Sequence, residues 1–500
     1  MGLSIVGLAA APAIAAPAAA GWLHTEGARI VDADDDRYIV KAVNWFGLET
    51  ANCAPHGLWQ ISLDDGLAQI ASFGFNTIRL PFSNECIAGS TTSGIDAAKN
   101  PGLVGKTPLQ VMDAVIAGAG RHGLRVILDR HRPDSGAQSE LWYTAAWSEQ
   151  RWITDWRALA GRYAKDPTVI GMDLHNEPHG RACWGCGDAS RDWAAAATRA
   201  GNAVLAVNPK LLILVEGIER QGVERPGGGT TWWGGGLADV RAHPIRLDVA
   251  NRLVYSPHDY PSSIYPQSWF SDPSYPANLE DVWTANWGYL ARDQIAPVLL
   301  GEFGTRLQSE SDRAWLNQLV GYLMRNQLSF AYWSFNPNSG DTGGLVGDDW
   351  ATPQQAKLDA LAPLLGSASG PAATPPAPPH SSPISSPSPT GSPGSASPPS
   401  PPARDLQVSW QLSSAWNSGY VAQLQVSAGA DHSSWRIHWP DPAATSIANA
   451  WGMRCSVADG VITCDGADWA AAIPAGQTRS VGLQVNSPGP APIAPQVTTG

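Results

Sequence analysis

The sequence predicts a (β/α)8 TIM barrel, joined by a Pro/Ser-rich linker to a C-terminal antiparallel β-sandwich. Three observations predict this fold class. Eight short β-like runs alternate with amphipathic helical stretches up to residue 366. Residues 367–403 consist mainly of Pro, Ser, Ala and Gly and contain no charged residue. Residues 404–500 show period-two alternation between turn residues, with no helical period.

The barrel prediction depends on the eight runs, each six to eight residues long. They cover 39–44, 76–81, 125–130, 169–176, 211–217, 252–258, 297–303 and 329–335. Helical spacing of apolar residues fills the intervals, most clearly at 63–72, 109–121, 145–163 and 312–324. A doubly wound open sheet is the alternative, but no strand is followed by the glycine-rich phosphate turn that such sheets usually carry.

The first twenty residues are apolar, rich in Ala and end in small residues, which is typical of a signal peptide. No Lys or Arg precedes the apolar stretch, so the natural start is expected upstream of Met1. The domain limits predicted are therefore 1–20 for the signal peptide, 21–366 for the barrel, 367–403 for the linker and 404–500 for the sandwich. No other segment is apolar over about eighteen residues, so no membrane span is expected.

The six cysteines also fit an exported protein, in which an even number favours disulfides. Cys183 and Cys186 form a Cys-Trp-Gly-Cys motif that is also compatible with a zinc half-site or a redox site. Zinc would need a second pair of ligands at suitable spacing, and the surrounding sequence is not of the thioredoxin type. A small loop closed by a disulfide is therefore favoured.

The composition restricts the ligands that the protein can bind. A net charge of −12 argues against nucleic acid as a partner. The chain has 23 tryptophans, which suit either large cores or stacking against flat apolar faces such as those of sugar rings.

Polar and aromatic residues stand at the carboxyl ends of six predicted strands. In a barrel these ends converge on the active site. The residues are Arg79, His131, Asn176, Glu177, His258, Tyr260, Glu302 and Trp333. Trp59 and Trp233, in segments rich in Gly and Trp, are assigned to the same cleft.

Two carboxylates that face each other across a cleft suit glycoside hydrolysis, in which one donates a proton and the other acts in its charged form. Their environments must therefore separate their pKa values. Arg79 beside Glu302 is expected to keep that carboxylate ionised. Asn176 is expected to donate a hydrogen bond to the 2-hydroxyl of the sugar.

The barrel segment resembles glycoside hydrolase family five, and in particular the secreted actinobacterial endoglucanases, over about residues 22–364. The motifs that carry the resemblance are NWFGLET, HGLW, FNTIRLPFS, VILDRHRPD, GMDLHNEPHG, YSPHDY, GEFGT and YWSFNPNSGDTGG. The resemblance implies Glu177 as acid/base, Glu302 as nucleophile and retention of anomeric configuration. The other strand-end residues are then the supporting shell. Relatives often bridge the loops after the first and third strands, but the third loop here has no cysteine, so a Cys53–Cys86 disulfide is expected.

The C-terminal segment resembles carbohydrate-binding module family two. The motifs are AWNSGYVAQLQV, SSWRIHW, ANAW and DWAAAIPAGQT. The resemblance places Trp416, Trp451 and Trp469 on an exposed cellulose-binding platform, whereas Trp435 and Trp439 are read as core. The family's usual end-to-end disulfide is missing, and a Cys455–Cys464 disulfide across an Asp-Gly hairpin is expected instead.

The sequence thus predicts a secreted, monomeric endo-β-1,4-glucanase that acts on cellulose or another β-glucan without cofactor or metal. The alternatives are a mannanase or mixed-linkage glucanase on the same scaffold, because the fold does not choose among them. A wall-binding protein with an inactive barrel is a third reading, disfavoured because both carboxylates are present.

Overall fold

The computed structural model describes residues 21–219, 231–366, 406–416, 419–467, 470–489, 491–492 and 495–499, without the side chains of residues 411, 413–416, 421, 448–449, 451 and 480. The chain divides into two compact units, Met1–Thr374 and Pro375–Gly500. The predicted signal peptide and linker lie outside the described residues, so their limits stay predictions.

The N-terminal unit contains an eight-stranded parallel sheet that closes into a barrel, as predicted. Each strand pairs with the next one along the chain, and the last pairs with the first. Backbone hydrogen bonds around Pro257 and Asp259 close the sheet between the sixth and seventh strands. The barrel strands are β3 (Lys41–Asn44), β4 (Thr77–Ser83), β5 (Arg125–Arg132), β6 (Val169–Asp173), β7 (Leu212–Val215), β8 (Leu253–Tyr255), β9 (Leu299–Phe303) and β10 (Ser329–Tyr332).

Helices follow most of the barrel strands and cover the outside of the sheet. Five of the longer ones begin where a Ser, Thr or Asp side chain accepts a hydrogen bond from a free N–H of the first turn. The α-helices are α1 (Leu63–Ser72), α2 (Asn84–Ala88), α3 (Pro108–Arg121), α4 (Glu149–Arg162), α5 (Trp193–Leu205), α6 (Leu279–Trp283), α7 (Tyr289–Arg292), α8 (Glu310–Arg325) and α9 (Gln355–Leu365). Single turns of other helix types cover Ala238–Arg241, Ser268–Ser271 and Thr284–Gly288.

The interior of the barrel changes character along its axis. Apolar side chains such as Ala42, Ile127 and Leu214 fill the end near the strand N-termini. A hairpin of β1 (His24–Glu26) and β2 (Arg29–Val31) packs Leu23 and Ile30 against that end. Buried polar groups replace the apolar ones near the carboxyl ends of the strands. The barrel is therefore a packed core at one end and a polar site at the other.

The C-terminal unit consists of two four-stranded sheets whose paired strands are antiparallel. The buried side chains of the two sheets form one core, which includes Trp435 and Trp439, as predicted. One sheet has the order β11, β12, β17, β14 and the other β15, β16, β13, β18. The strands are β11 (Leu406–Trp416), β12 (Gly419–Ala428), β13 (Arg436–Pro440), β14 (Ser446–Trp451), β15 (Met453–Ala458), β16 (Val461–Gly466), β17 (Thr478–Asn486) and β18 (Thr498–Thr499).

All six cysteines form disulfides, Cys53–Cys86, Cys183–Cys186 and Cys455–Cys464. The last pair joins directly opposite residues of the β15–β16 hairpin, which turns at Asp459 and Gly460, both with positive φ. Among the residues that the structure describes, no helix is long and apolar enough to cross a membrane.

Candidate active site

The eight residues predicted from the strand ends form one connected cluster at the carboxyl end of the barrel. All except the half-buried Trp333 are at least nine-tenths buried. Direct contacts join Arg79, Asn176, Tyr260 and Glu302, and His258 lies against Glu177. The strand-end argument therefore brought together residues that are up to 254 positions apart in the sequence, from Arg79 to Trp333.

Arg79 is the centre of the cluster and is completely buried. Its guanidinium contacts four carboxylates: Asp129 at 3.1 Å, Asp173 at 2.9 Å, Glu216 at 2.9 Å and Glu302 at 2.7 Å. One cation cannot balance four buried anions, so part of this cluster must hold protons. Burial accordingly raises the pKa of Asp129 and of Asp173 to about 6, although Arg79 opposes the rise in both.

Glu302 is the penultimate residue of β9 and is held at both oxygens. Arg79 Nη1 donates to Oε1 at 2.7 Å, and the Tyr260 hydroxyl donates to Oε2 at 2.7 Å. Burial raises the pKa of Glu302 to about 7, against the opposing effect of His258 and Arg79, and Glu177 adds to the rise. The expectation that Arg79 would keep this carboxylate ionised is therefore only partly right: the guanidinium lowers the pKa, but burial outweighs it.

Glu177 lies four residues beyond the end of β6, in the left-handed backbone region with φ of 52°. The sequence predicted a strand that continues to Asn176, but the strand ends at Asp173 and the chain bends away there. Glu177 Oε1 lies 3.0 Å from His258 Nδ1. Burial lowers the pKa of His258, but the Glu216 and Glu302 carboxylates outweigh it and raise the pKa well above its ordinary value.

The carboxyl groups of Glu177 and Glu302 face each other closely. An oxygen of each, together with a ring nitrogen of His258, lies within 4.8 Å of the others. The imidazole lies near both carboxyl groups, with Nδ1 at 3.0 Å from Glu177 Oε1 and 3.6 Å from Glu302 Oε2.

His131 and Trp333 form one wall of the site. Their rings stack at 5.3 Å and 11°, and the ring of Phe46 also lies parallel to that of Trp333, at 5.3 Å and 9°. Burial lowers the pKa of His131 to about 3, so the ring is neutral near pH 7 while Nδ1 bonds to Asp129 at 2.6 Å. The wall is thus an uncharged aromatic surface.

Asn176 is tied to the same network. Its Oδ1 accepts from Arg79 Nη2 at 3.0 Å, which fixes the amide so that Nδ2 is the donor side. Nδ2 donates to Gln138 at 3.2 Å. An amide with two N–H groups keeps one more for a ligand.

Trp59 and Trp233 are both exposed, with 38% and 42% of their surface accessible. Trp59 follows β3 and packs against Trp350 at 5.6 Å. Trp233 follows β7 and stacks face to face on His179 at 3.8 Å. The loops after the first and fifth of eight strands lie on opposite sides of a barrel, so the two indoles stand on either side of the catalytic cluster.

The sequence argument missed four buried polar residues of the cluster: Asn44, Asp129, Asp173 and Glu216. Glu216 follows β7 directly and was within reach of the strand-end rule, which was applied to six strands only. Asp129 and Asp173 lie within strands, where a charge is uncommon and its partner cannot be read from spacing. Burial raises the pKa of Glu216 well above its ordinary value, with His258 and Arg79 opposing and Asp173 adding to the rise.

In the described part of the chain, the groups of His, Asp and Glu side chains close enough to share a metal ion all belong to this cluster. Arg79 already lies among their carboxylates and supplies the positive charge that a metal would bring. The metal-free site therefore stays a prediction, which the position of Arg79 favours.

The predicted cellulose-binding platform of the sandwich lies outside the side chains that the structure describes. Trp469 is not among the described residues, and only the backbone is described for Trp416 and Trp451. The register pairs Trp451 with Gly482 of β17 and Trp416 with Gly419 of β12. The platform stays a prediction.

Comparison with known families agrees with the geometry of both units. The cellulase family, glycosyl hydrolase family 5, matches residues 32–339, and the cellulose binding domain matches residues 406–500.

Two curated relatives are similar over most of their length. An endoglucanase of Paenibacillus polymyxa is 51% identical over 73% of this chain and 92% of its own length. The major extracellular endoglucanase of Xanthomonas campestris pv. campestris is 40% identical over 96% of this chain and 98% of its own.

Solved structures give the same result for the barrel. The catalytic domain of the Xanthomonas campestris enzyme has 41% identity and a TM-score of 0.66, covering 69% of this chain and 100% of that one. A complex of cellotetraose with the endocellulase of Pyrococcus horikoshii has 39% identity and a TM-score of 0.66, covering 69% and 99%. The particular resemblance to actinobacterial enzymes stays a prediction. This chain belongs to the cellulase family, glycosyl hydrolase family 5, and carries a cellulose binding domain at residues 406–500.

Proposed function

We propose that the protein is a secreted endo-β-1,4-glucanase that hydrolyses internal bonds of cellulose with retention of configuration. The observation that carries the proposal is the separation of the two carboxyl groups, since one oxygen of Glu177 lies within 4.8 Å of one oxygen of Glu302. Retaining glycosidases keep their carboxyl groups about 5–5.5 Å apart, whereas inverting enzymes need about 6.5–9.5 Å to admit a water molecule.

The first step of the reaction forms a covalent glycosyl-enzyme. Glu302, in its ionised form, attacks the anomeric carbon, and the glycosidic bond breaks. Glu177 gives its proton to the leaving oxygen and becomes a carboxylate. Arg79 and Tyr260 hold both oxygens of Glu302 and so fix the direction of attack.

The second step releases the sugar. Glu177 takes a proton from a water molecule, whose oxygen attacks the anomeric carbon as the bond to Glu302 breaks. The two displacements restore the original configuration. Asn176, whose amide is fixed by Arg79, offers its remaining N–H to the 2-hydroxyl next to the anomeric carbon.

The aromatic residues supply the binding surface for the glucan. Trp333, which stacks on His131 and is only half buried, supplies one aromatic surface of the cleft, and the exposed Trp59 and Trp233 extend the cleft. A cleft with aromatic surfaces on both sides of the cleavage point suits attack within a chain.

The C-terminal module is proposed to hold the enzyme on its substrate. The domain limits proposed are those predicted from the sequence, and the linker of residues 367–403 gives the barrel a high local concentration at the surface. Secretion is supported by the apolar N-terminal segment, by the disulfides and by similarity to an extracellular endoglucanase. We propose a monomer that needs no cofactor, nucleic acid or membrane.

Two isosteric variants test the catalytic assignment. Glu177→Gln should lose roughly 10²–10⁴-fold in activity on glucan, the span of general acid catalysis. It should lose far less on a 2,4-dinitrophenyl glycoside, because that leaving group needs no proton. Glu302→Gln should be inactive on both. Glu140→Gln, which removes a carboxyl that pairs with Arg181 outside the cluster, is the matched control and should act like the wild type.

Equal losses for Glu177→Gln and Glu302→Gln on the activated substrate would contradict the assignment. NMR that identifies the anomer of the first product distinguishes retention from inversion of configuration. Rates on carboxymethyl cellulose, barley glucan and galactomannan decide the substrate, and a faster rate on galactomannan would replace the glucanase proposal by the mannanase alternative.

A triple variant tests the binding module. Replacing Trp416, Trp451 and Trp469 by Ala should weaken binding to crystalline cellulose, by on the order of 1–2 kcal/mol for each anchor. The rate on soluble carboxymethyl cellulose should not change, because soluble substrate gains nothing from a surface anchor. An equal loss on both substrates would mean that these residues support the fold.

A further inference from the structure

Glu216 has no role in the two displacement steps, yet it contacts three groups of the site. It follows β7 directly and has no accessible surface. Its Oε2 accepts the backbone N–H of Glu177 at 2.7 Å. Its Oε1 accepts from Arg79 Nη2 at 2.9 Å and lies 3.4 Å from His258 Nε2. The carboxyl group thus joins the backbone of one catalytic residue to the imidazole that contacts its side chain.

The contact with Glu177 bears on an unusual backbone conformation. Glu177 has a φ of 52°, which residues other than Gly adopt at a cost in free energy. Such a conformation persists only where the surroundings fix it, and the hydrogen bond from the Glu177 N–H to Glu216 is one such constraint.

The packing leaves no space for another group between these residues. Gly234 lies over them with a φ of 72°, and a Cβ at this position would lie 2.7 Å from Glu216 Oε2 and 3.3 Å from Glu177 Cγ. The contacts of Glu216 are therefore direct and cannot easily be replaced by water.

We propose that Glu216 is a positioning residue for general acid catalysis. It fixes the backbone of Glu177 and keeps a proton on His258, so that His258 Nδ1 donates to Glu177 Oε1. The acid proton of Glu177 is then confined to Oε2, the oxygen left for the leaving group. This inference rests on the proposed role of Glu177 as the acid/base.

The charges around the pair agree with this role. The groups that face Glu216 come from four elements: Arg79, Asp173, Glu177 and His258. The groups that face His258 are Glu177, Glu216 and Glu302, and His258 in turn lowers the pKa of Asp129 and Asp173. His258 is thus surrounded by carboxyl groups. Burial raises the pKa of Glu216, but His258 and Arg79 oppose that rise, and Glu216 in turn raises the pKa of His258, so a charged Glu216 and a proton on His258 favour each other.

Glu216→Gln disrupts these contacts with little change in side-chain volume. One carboxylate oxygen becomes an NH₂ group, which cannot accept the N–H of Glu177 or of Arg79. The negative charge opposite His258 Nε2 is lost as well. The variant should therefore misplace the acid and release the proton of His258 at lower pH.

The test compares kcat/KM on two aryl β-cellotriosides, because this constant reports the step that needs the acid. On the phenyl compound, a poor leaving group, Glu216→Gln should lose roughly 10–100-fold, part of the 10²–10⁴-fold span of acid catalysis. On the 2,4-dinitrophenyl compound the loss should stay below about threefold, since that leaving group needs no general acid. NMR of labelled histidine, assigned with His258→Gln, should show His258 titrating at lower pH than in the wild type.

Asp173→Asn is the matched control. It removes another carboxylate that lies 2.9 Å from Arg79, but one without a hydrogen bond to Glu177. It should lower kcat/KM on both substrates by the same factor. Equal losses on both substrates for Glu216→Gln, or an unchanged titration of His258, would overturn the inference.

A failure of the proposed function would look different. If Glu177→Gln itself lacked leaving-group dependence, the acid/base assignment would fall; if only Glu216→Gln lacked it, this inference alone would fall. If Glu216→Gln does not fold, Glu216→Asp decides, because it keeps the charge and shortens the reach. It should retain the His258 titration and lose rate selectively on the phenyl compound, and equal losses would again overturn the inference.

Discussion

Replacing Arg79 by Met should make the stability of the barrel strongly dependent on pH. The guanidinium contacts four carboxylates within 3.1 Å and has no accessible surface, so no solvent screens its loss. Without it, the folded state must bind protons more tightly at these groups, and their pKa values must rise above the wild-type ones.

The magnitude follows from three of the carboxyl groups. Their pKa values in the wild type are about 6 for Asp129, about 6 for Asp173 and about 7 for Glu302. A further rise of one unit at each costs about 4 kcal/mol in total, at 1.36 kcal/mol per unit. The folded variant then binds more protons than the folded wild type between pH 6 and 8. Its unfolding free energy therefore falls relative to the wild type as the pH rises through that window, and this part of the loss is absent at pH 5.

Urea unfolding followed by near-UV circular dichroism at pH 5 and pH 8.5 measures the effect. Arg130→Met is the comparison variant, because this buried arginine makes its hydrogen bonds to the neutral groups Asn84 Oδ1, His175 Nδ1 and Trp142 O and lowers the pKa of only one carboxyl group of the cluster, Asp129, as a minor cause. Its loss of stability should change much less between the two pH values than that of Arg79→Met. If the gap between wild type and Arg79→Met did not widen with pH, or if Arg130→Met widened equally, the reasoning about shared protons would be refuted.

Three further predictions concern stability and the cleft. Denatured without reductant, the protein should contain no titratable thiol, and two or more would contradict the disulfides. Burial raises the pKa of Asp259 to about 8, so the free energy of unfolding of the wild type should fall as the pH rises from about 4 to 8. Asp259→Asn has no carboxyl group at this position and should not show this fall. A difference in unfolding free energy between the two proteins that is the same at pH 5 and pH 9 would contradict this. Lys357→Met should lower the free energy of unfolding in urea by about 1–3 kcal/mol, because the carbonyls of Thr342 and Gly344 lose their donor. It should also raise KM, because the same loop holds Ser339, which accepts a hydrogen bond from Trp333. An unchanged KM would mean that this loop does not contribute to substrate binding.

Periodicity predicted the elements of the barrel well because each carries an apolar pattern of its own. The helix at 63–72 was predicted with its observed limits, since Ser62 caps one end and the apolar spacing stops at the other. The fourth strand was predicted three residues too long, because the left-handed conformation of Glu177 depends on contacts from other strands.

The sandwich was predicted less completely. Five of its strands follow the alternation that the sequence shows. Met453–Ala458 was not among them, although its Met, Cys and Val alternate with Arg and Ser and the expected Cys455–Cys464 hairpin includes it. Ser446–Trp451 has small and polar residues that interrupt the alternation, and Thr498–Thr499 has only two residues; their pairing comes from the neighbouring strands β17 and β13. Cross-strand partners of this kind cannot be read from one segment alone.

For the site, the sequence located groups that stand at strand ends but not the balance of charge among them. Arg79 was predicted beside Glu302, yet its three other carboxylate partners come from the third, fourth and fifth strands. The pKa of each group depends on how many partners share one cation, which is a property of the closed barrel.

The last pairing of the barrel has a consequence for how activity arises. The sixth and seventh strands meet through Gly301 N to Pro257 O at 2.8 Å and Asp259 N to Glu302 O at 3.0 Å. These bonds flank His258 and Glu302, so the nucleophile and its imidazole neighbour are brought together by the same contacts that close the sheet. A chain in which all the remaining strand pairs have formed but this pair is still open lacks a catalytic site. Turnover is therefore a direct report of barrel closure, and a circular permutant cut between β8 and β9 is the one whose activity depends most on re-forming that edge.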